Sequence, residues 1–274
     1  MKNLIKNIKT RFFLILILLS LGIILLKSLF SPFPILNTSL ITTVLAQQEI
    51  EQEIEPGNKQ QDENHPTCLE QGKELYWEQK YPEAIKQLEQ CIPQDPDNPE
   101  IYYYIGQSYF QQGQQAAQKK SIIKATKYYR EAYQISDTAI EKYFNKIEQN
   151  PEQDHTNDYL QLAYIYQIRS LIPGINEYQA AITIYETLLA EKPYLTSVYY
   201  NLGWIYYQMK DYQQAVDTFL LYLKPGRKSG FVYYYLGLSY DKIGEKEKAK
   251  EYFQLVLDEF PDTEIATFAK KELR

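Results

Sequence analysis

Side chains suited to chemistry are scarce in this chain of 274 residues: it has two cysteines, Cys68 and Cys91, and two histidines, His65 and His155. A zinc or haem site needs such ligands clustered at short, fixed spacings, and these four give none. The sequence has no glycine-rich phosphate loop, no nucleophile elbow and no pair of histidines on a helix. His65 closes an acidic stretch and His155 lies in PEQDHTND, a loop before a helix cap, so both read as solvated surface residues. Carboxylates abound, but no spacing rule singles one out. The chain is therefore expected to have no catalytic residue, no metal and no cofactor. Its excess is in tyrosine, 27 residues. A tyrosine joins an apolar body to a polar tip, which suits half-buried or ligand-binding surfaces.

Composition narrows the class further. Hydrophobic residues make up 45% of the chain, enough for a folded protein with a sizeable core. A net charge of -6 argues against nucleic acid as a partner, since that needs a basic face. Lys242, Lys246, Lys248 and Lys250 alternate with Asp241, Glu245, Glu247 and Glu251 and read as an ion-paired helix face.

The first 46 residues form a separate problem. MKNLIKNIKTR carries four basic residues and no acid, and an apolar run from Phe12 to Leu26 follows. Fifteen helical residues span roughly 23 Å, against about 30 Å of bilayer hydrocarbon, so a secretory signal fits at least as well as a spanning helix. Val44-Leu45-Ala46 has the small-residue spacing of a cleavage site, and both cleavage there and retention as an anchor stay open. In either case the expectation is that everything after Ala46 is exported to a periplasmic or lumenal side. Residues 47–66, with six acids and one lysine, read as a solvated linker.

From residue 67 a period of 34 emerges: Gly72 to Gly106, Gly203 to Gly237, and Ala215 to Ala249. Each glycine opens one template, with an aromatic at -4, an aliphatic at -1, an aromatic at +3, alanine at +12 and proline near +24. Its best copy is Tyr233, Leu236, Gly237, Tyr240, Ala249, Phe253, Pro261, and a second is Tyr199, Leu202, Gly203, Tyr206, Ala215, Phe219. An earlier copy begins Tyr102, Ile105, Gly106, Tyr109 and needs seven extra residues before Ala125, Tyr129 and Ala132 resume the pattern. In DYLQLAYIY, Ala163 stands in the glycine slot, and six extra residues around RSLIPG precede Ala181, Tyr185 and Pro193.

These residues resemble the tetratricopeptide repeat. The resemblance implies an all-α solenoid of helix-turn-helix repeats at about 65–98, 99–138, 156–195, 196–229 and 230–263. Surplus residues predict an over-long or additional helix at about 139–151, and 263–274 reads as a capping helix. Asn98 followed by Pro99 reads as a helix start.

Facing residues in an antiparallel helix pair keep a nearly constant index sum. The template pairs Leu75 with Ala84 and Gly72 with Leu88, sums of 159 and 160, and Cys68 with Cys91 gives 159. An oxidising compartment then predicts a disulfide; two buried free thiols are the alternative.

The template also sorts the tyrosines. Slots -4, -1 and +3 point into the helix pair, so Tyr102, Tyr109, Tyr159, Tyr166, Tyr199, Tyr206, Tyr233 and Tyr240 read as core. The family's concave groove is lined from slots -6, -3, +1 and +4. These hold Tyr76, Tyr103, Phe110, Tyr164, Tyr200, Trp204, Tyr207, Phe231 and Tyr234, an expected aromatic strip with no packing duty inside the template. Tyr235, matching Asn201 and Tyr104, has no assigned side. The expected function is a non-catalytic scaffold that binds a protein or peptide along that strip, in envelope or membrane-complex assembly. A glycan-binding role and a homo-oligomerisation module are the alternatives. The membrane is a partner through the N-terminal segment if that segment is kept.

Overall fold

The computed structural model describes residues 66–224 and 226–274. The export segment, His65 and nearly all of the acidic linker lie outside the described residues. These residues form eleven helices and no strand: α1 Cys68–Trp77, α2 Tyr81–Cys91, α3 Pro99–Gln118, α4 Ile122–Gln149, α5 Thr156–Arg169, α6 Tyr178–Glu191, α7 Thr196–Gln208, α8 Tyr212–Leu223, α9 Gly230–Ile243, α10 Lys246–Glu259 and α11 Glu264–Glu272. Two compact units divide after Ala181. Among the described residues no helix is long and apolar enough to cross a membrane.

Helix starts follow from local chemistry. Thr67 and Glu70 form a reciprocal capping box on α1, satisfying two amides that the first turn would otherwise leave orphaned. Asn98 accepts the Glu100 amide, and Pro99 at the first helical position gives up a donor that had no partner there. Four hairpin turns share one device, a left-handed residue just after the first helix: Gln79, Lys120, Lys210 and Gly244, with φ of 60°, 56°, 64° and 91°.

In the first unit, α1 and α2 cross where a Cβ on Gly72 would come within 2.4 Å of Leu88, which is fully buried. Only glycine lets the two backbones approach that closely. The α3–α4 pair departs from the expected register. Gly106 faces Ile135 and Ser136, and Gly113 faces Tyr129, so the index sum stays at 241–242 along the hairpin. The close approach equivalent to Gly72–Leu88 is thus Gly113–Tyr129, with Ala125 at +12 and Tyr109 at -4. Seven residues make about two helical turns, so the insertion lengthens the hairpin and keeps its faces. Of the two expected forms, an over-long or an additional helix, the surplus farther along takes the first: α4 runs unbroken for 28 residues to Gln149, with no separate helix at 139–151.

In the second unit, Gly203 packs on Phe219 and Gly237 on Phe253, where an added Cβ would sit 2.7 Å and 2.5 Å from the ring. Burying a phenylalanine of this kind contributes roughly 1.5–3 kcal/mol. The -4 tyrosines fill their hairpins and use their tips as well. Tyr102 Oη donates to the Pro96 carbonyl at 2.9 Å, and Tyr199 Oη to the Pro193 carbonyl at 3.3 Å. Each ties a first helix to the turn before it. The lysines of α9 and α10 are ion-paired as expected, among them Lys248–Glu245 and Lys250–Glu247. α11 closes this unit with Ile265, Ala266, Phe268 and Ala269 buried and Lys270 and Lys271 exposed.

Candidate ligand-binding face

Nine aromatics carry the expected groove, four in the first unit and five in the second. Their type is right for a binding strip, but their exposure is not. Tyr76, Tyr103, Phe110, Tyr200, Trp204, Phe231 and Tyr234 are buried, and only Tyr164 and Tyr207 are partly open. The expectation that these slots have no packing duty fails for a physical reason: apart from Phe231, which is buried, they meet aromatics of their own or a neighbouring helix pair.

In the first unit Tyr103 stands edge-on to Tyr104 at 4.9 Å and lies 6.4 Å from Tyr164. Phe110 packs with Ala132, Ile168 and Ile172, and Tyr129, Tyr133 and Tyr164 border that cluster. In the second unit Tyr200 contacts Phe219 and Tyr222, and Tyr234 contacts Phe253 and Phe268. Tyr207 stands edge-on to Tyr212 and Tyr235.

Tyr235 organises the second layer. It is 1% exposed, stacks on Phe219 and accepts a hydrogen bond from Trp204 Nε1 at 3.2 Å. Its counterpart Tyr104 is buried beside Tyr76 and Trp77, with Lys73 Nζ 5.3 Å from its ring centre. The -2 slot therefore faces the preceding repeat, and the template of a single repeat does not reveal that neighbour. Burial pushes the Tyr207 and Tyr234 phenols well up, so both stay protonated donors at neutral pH. Such a layer offers apolar faces and hydroxyl tips, and no nucleophile.

Cys68 and Cys91 are bonded, with Cα atoms 5.7 Å apart, across the open end of the α1–α2 hairpin. His155 corrects its reading as a solvated residue. It is 7% exposed; Nδ1 lies 2.7 Å from Asp158 Oδ2 and Nε2 lies 2.7 Å from the Asn150 carbonyl. Lys146 donates to the other Asp158 oxygen, so this cluster pins the end of α4 to the start of α5.

Sequence reasoning also missed Arg169, which is 1% exposed. Its guanidinium donates to Asp137 at 2.8 Å and to Glu177 at 3.0 Å, and lies 3.9 Å from the centre of the Tyr133 ring. Burial holds the Glu177 carboxyl above its ordinary range, against the opposing pull of Arg169. This clip fastens the RSLIPG loop to α4 and α5. Among the described residues no group of three His, Cys, Asp or Glu side chains is placed to hold a metal ion.

Comparison with known proteins bears on the repeats directly. A TPR repeat family model matches residues 72–113, and tetratricopeptide repeat models match 196–224 and 231–263. The chain is a tetratricopeptide-repeat protein. Its structure is similar to a thermophilic TPR protein of Thermus thermophilus, with a TM-score of 0.53, 16% identity, and coverage of 75% of this chain and 97% of that one. It is also similar to the C-terminal part of a TPR repeat-containing protein of Cytophaga hutchinsonii, with a TM-score of 0.48, 20% identity, and coverage of 70% and 65%. At 16% identity the likeness to the Thermus thermophilus protein is one of fold. No curated protein matches the sequence. In this tetratricopeptide-repeat protein the matched stretches contain Tyr76, Trp204 and Tyr234, so the repeat helices themselves carry the aromatic layers.

Proposed function

We propose that this chain is a non-catalytic scaffold on the extracytoplasmic side of a membrane, and that it holds another polypeptide against its aromatic face. The observation carrying this reading is the layer of Tyr200, Trp204, Tyr207, Tyr234 and Tyr235 in the second unit. Its phenol and indole groups sit on consecutive first helices, with Tyr207 still partly open. Rigid aromatics of this kind anchor polypeptides with area and a hydrogen-bonding tip at low entropy cost. The extracytoplasmic placement draws support from the Cys68–Cys91 bond, since disulfides persist in oxidising compartments.

The experiment is photo-crosslinking in the native cell, with a benzoyl-phenylalanine in place of Tyr207. The reading expects an adduct with a different polypeptide that is missing when the probe replaces exposed Lys86. Adducts with a second copy of the chain alone, or with no polypeptide, would contradict it.

A further inference from the structure

The turn between α3 and α4 differs from the other hairpin turns in both charge and apolar exposure. From Ile101 to Arg130 the chain carries Lys119, Lys120, Lys124, Lys127 and Arg130 and no acid, in a protein of net charge -6. All five are exposed, and among the described residues none is ion-paired. Between them stand Ile122 and Ile123, 61% and 87% exposed. Ile123, Lys127 and Arg130, four and three residues apart, share one stripe of α4.

The tip also projects. Tyr76 packs against Tyr104, after which α1 continues for one residue and α3 for fourteen. Phe110 packs beside Ile168, after which α5 continues for one residue and α3 for eight. The surplus carries α3 past the end of α5 by roughly 10 Å. The turn is held firmly, because Lys120 takes the left-handed conformation and the Ser121 amide donates to the Ala116 carbonyl at 2.8 Å.

We propose that this tip is a lipid-docking point. Ile122 and Ile123 enter the interfacial layer of a bilayer, and Lys119, Lys120, Lys124 and Lys127 lie against anionic headgroups. A convex tip with its aliphatic residues outermost suits a soft, flat, negatively charged surface. A wholly polar acidic partner would leave the two isoleucines without an apolar counterpart. Each lysine near such a surface strengthens binding about fivefold, and each inserted isoleucine about tenfold. This inference stands independently of the aromatic face.

The test is lysine acylation of the full chain, read peptide by peptide by mass spectrometry, with vesicles of phosphatidylglycerol and phosphatidylcholine or of phosphatidylcholine alone. The local readout separates the tip from any contribution of the N-terminal apolar run. Labelling of Lys119, Lys120, Lys124 and Lys127 is expected to fall about threefold or more with anionic vesicles only, while Lys86 and Lys250 stay unchanged. Ile122→Ser/Ile123→Ser should restore the labelling, and because both residues are exposed the fold should survive. Unchanged labelling, equal protection by neutral vesicles or full protection in the double variant would overturn the proposal. So would protection by soluble polyglutamate without protection by vesicles, which would identify an acidic polypeptide site instead.

Discussion

Tyr129 lies on Gly113, sixteen residues before it, at the same step that brings Leu88 onto Gly72, Phe219 onto Gly203 and Phe253 onto Gly237. At Gly113 an added Cβ would meet the Tyr129 ring at 2.6 Å. The hairpin glycines therefore set the distance between paired helices. Gly113→Ala or Gly237→Ala gains about 1 kcal/mol of helix propensity but costs about 1–3 kcal/mol of overpacking. Urea unfolding should show a net loss of about 1 kcal/mol; a gain in stability would count against the close crossing.

The buried Arg169 clip yields a sharper loss. Arg169→Ala leaves the Glu177 carboxylate largely buried without its cation, and breaking one side of such a pair costs about 3–5 kcal/mol. Adding Glu177→Gln should recover part of that loss. If the single and double variants melt alike, the carboxylate does not depend on the arginine.

Reduction tests the bridge. Cys68–Cys91 closes a loop with a sequence separation of 23, and the chain-entropy model gives such a loop about 3 kcal/mol. Denatured, unreduced protein should show no titratable thiol, and prior reduction should lower the unfolding midpoint. Two free thiols per chain would refute the bond.

Alkaline pH should unfold the protein steeply. Burial pushes the Tyr129 phenol from 10.0 up to about 12, and raises those of Tyr143, Tyr166, Tyr178, Tyr185, Tyr207 and Tyr234 as well. The folded chain keeps these protons where the unfolded chain has lost them. Their contribution is intact below pH 10.0 and is lost as pH climbs through the folded-state values. Thermal melts should hold steady from neutrality to mildly alkaline pH, then fall together with a rise in phenolate absorbance. Phenolate absorbance reaching that of all 27 tyrosines before any loss of helix would contradict this.

The repeat was legible because a 34-residue period fixes which side chains meet inside one hairpin. Cys68 facing Cys91 and Asn98 capping the start of α3 are both relations of that local kind. The Gly113 register was legible too, since Ala125 and Tyr129 stand at +12 and +16 from it. It was missed because Gly106 fits the neighbouring repeats equally well and the insertion preserves the helix face. Burial of Trp204 and Tyr235 was not legible, because it arises from packing between repeats. Arg169 and His155 escaped for a similar reason: their partners, Asp137 and Asn150, lie on another helix and at its end.

A polypeptide held through the aromatic layer of the second unit should be captured on the full chain and lost from Tyr207→Ala. Tyr207 is the partly open member of that layer, so truncation should leave the helical fold standing. Affinity capture is expected to recover one or a few polypeptides on the wild type, reduced about tenfold or more on the variant, with little change in the thermal midpoint. Recovery of the same polypeptides in equal yield from both chains would rule out that binding layer.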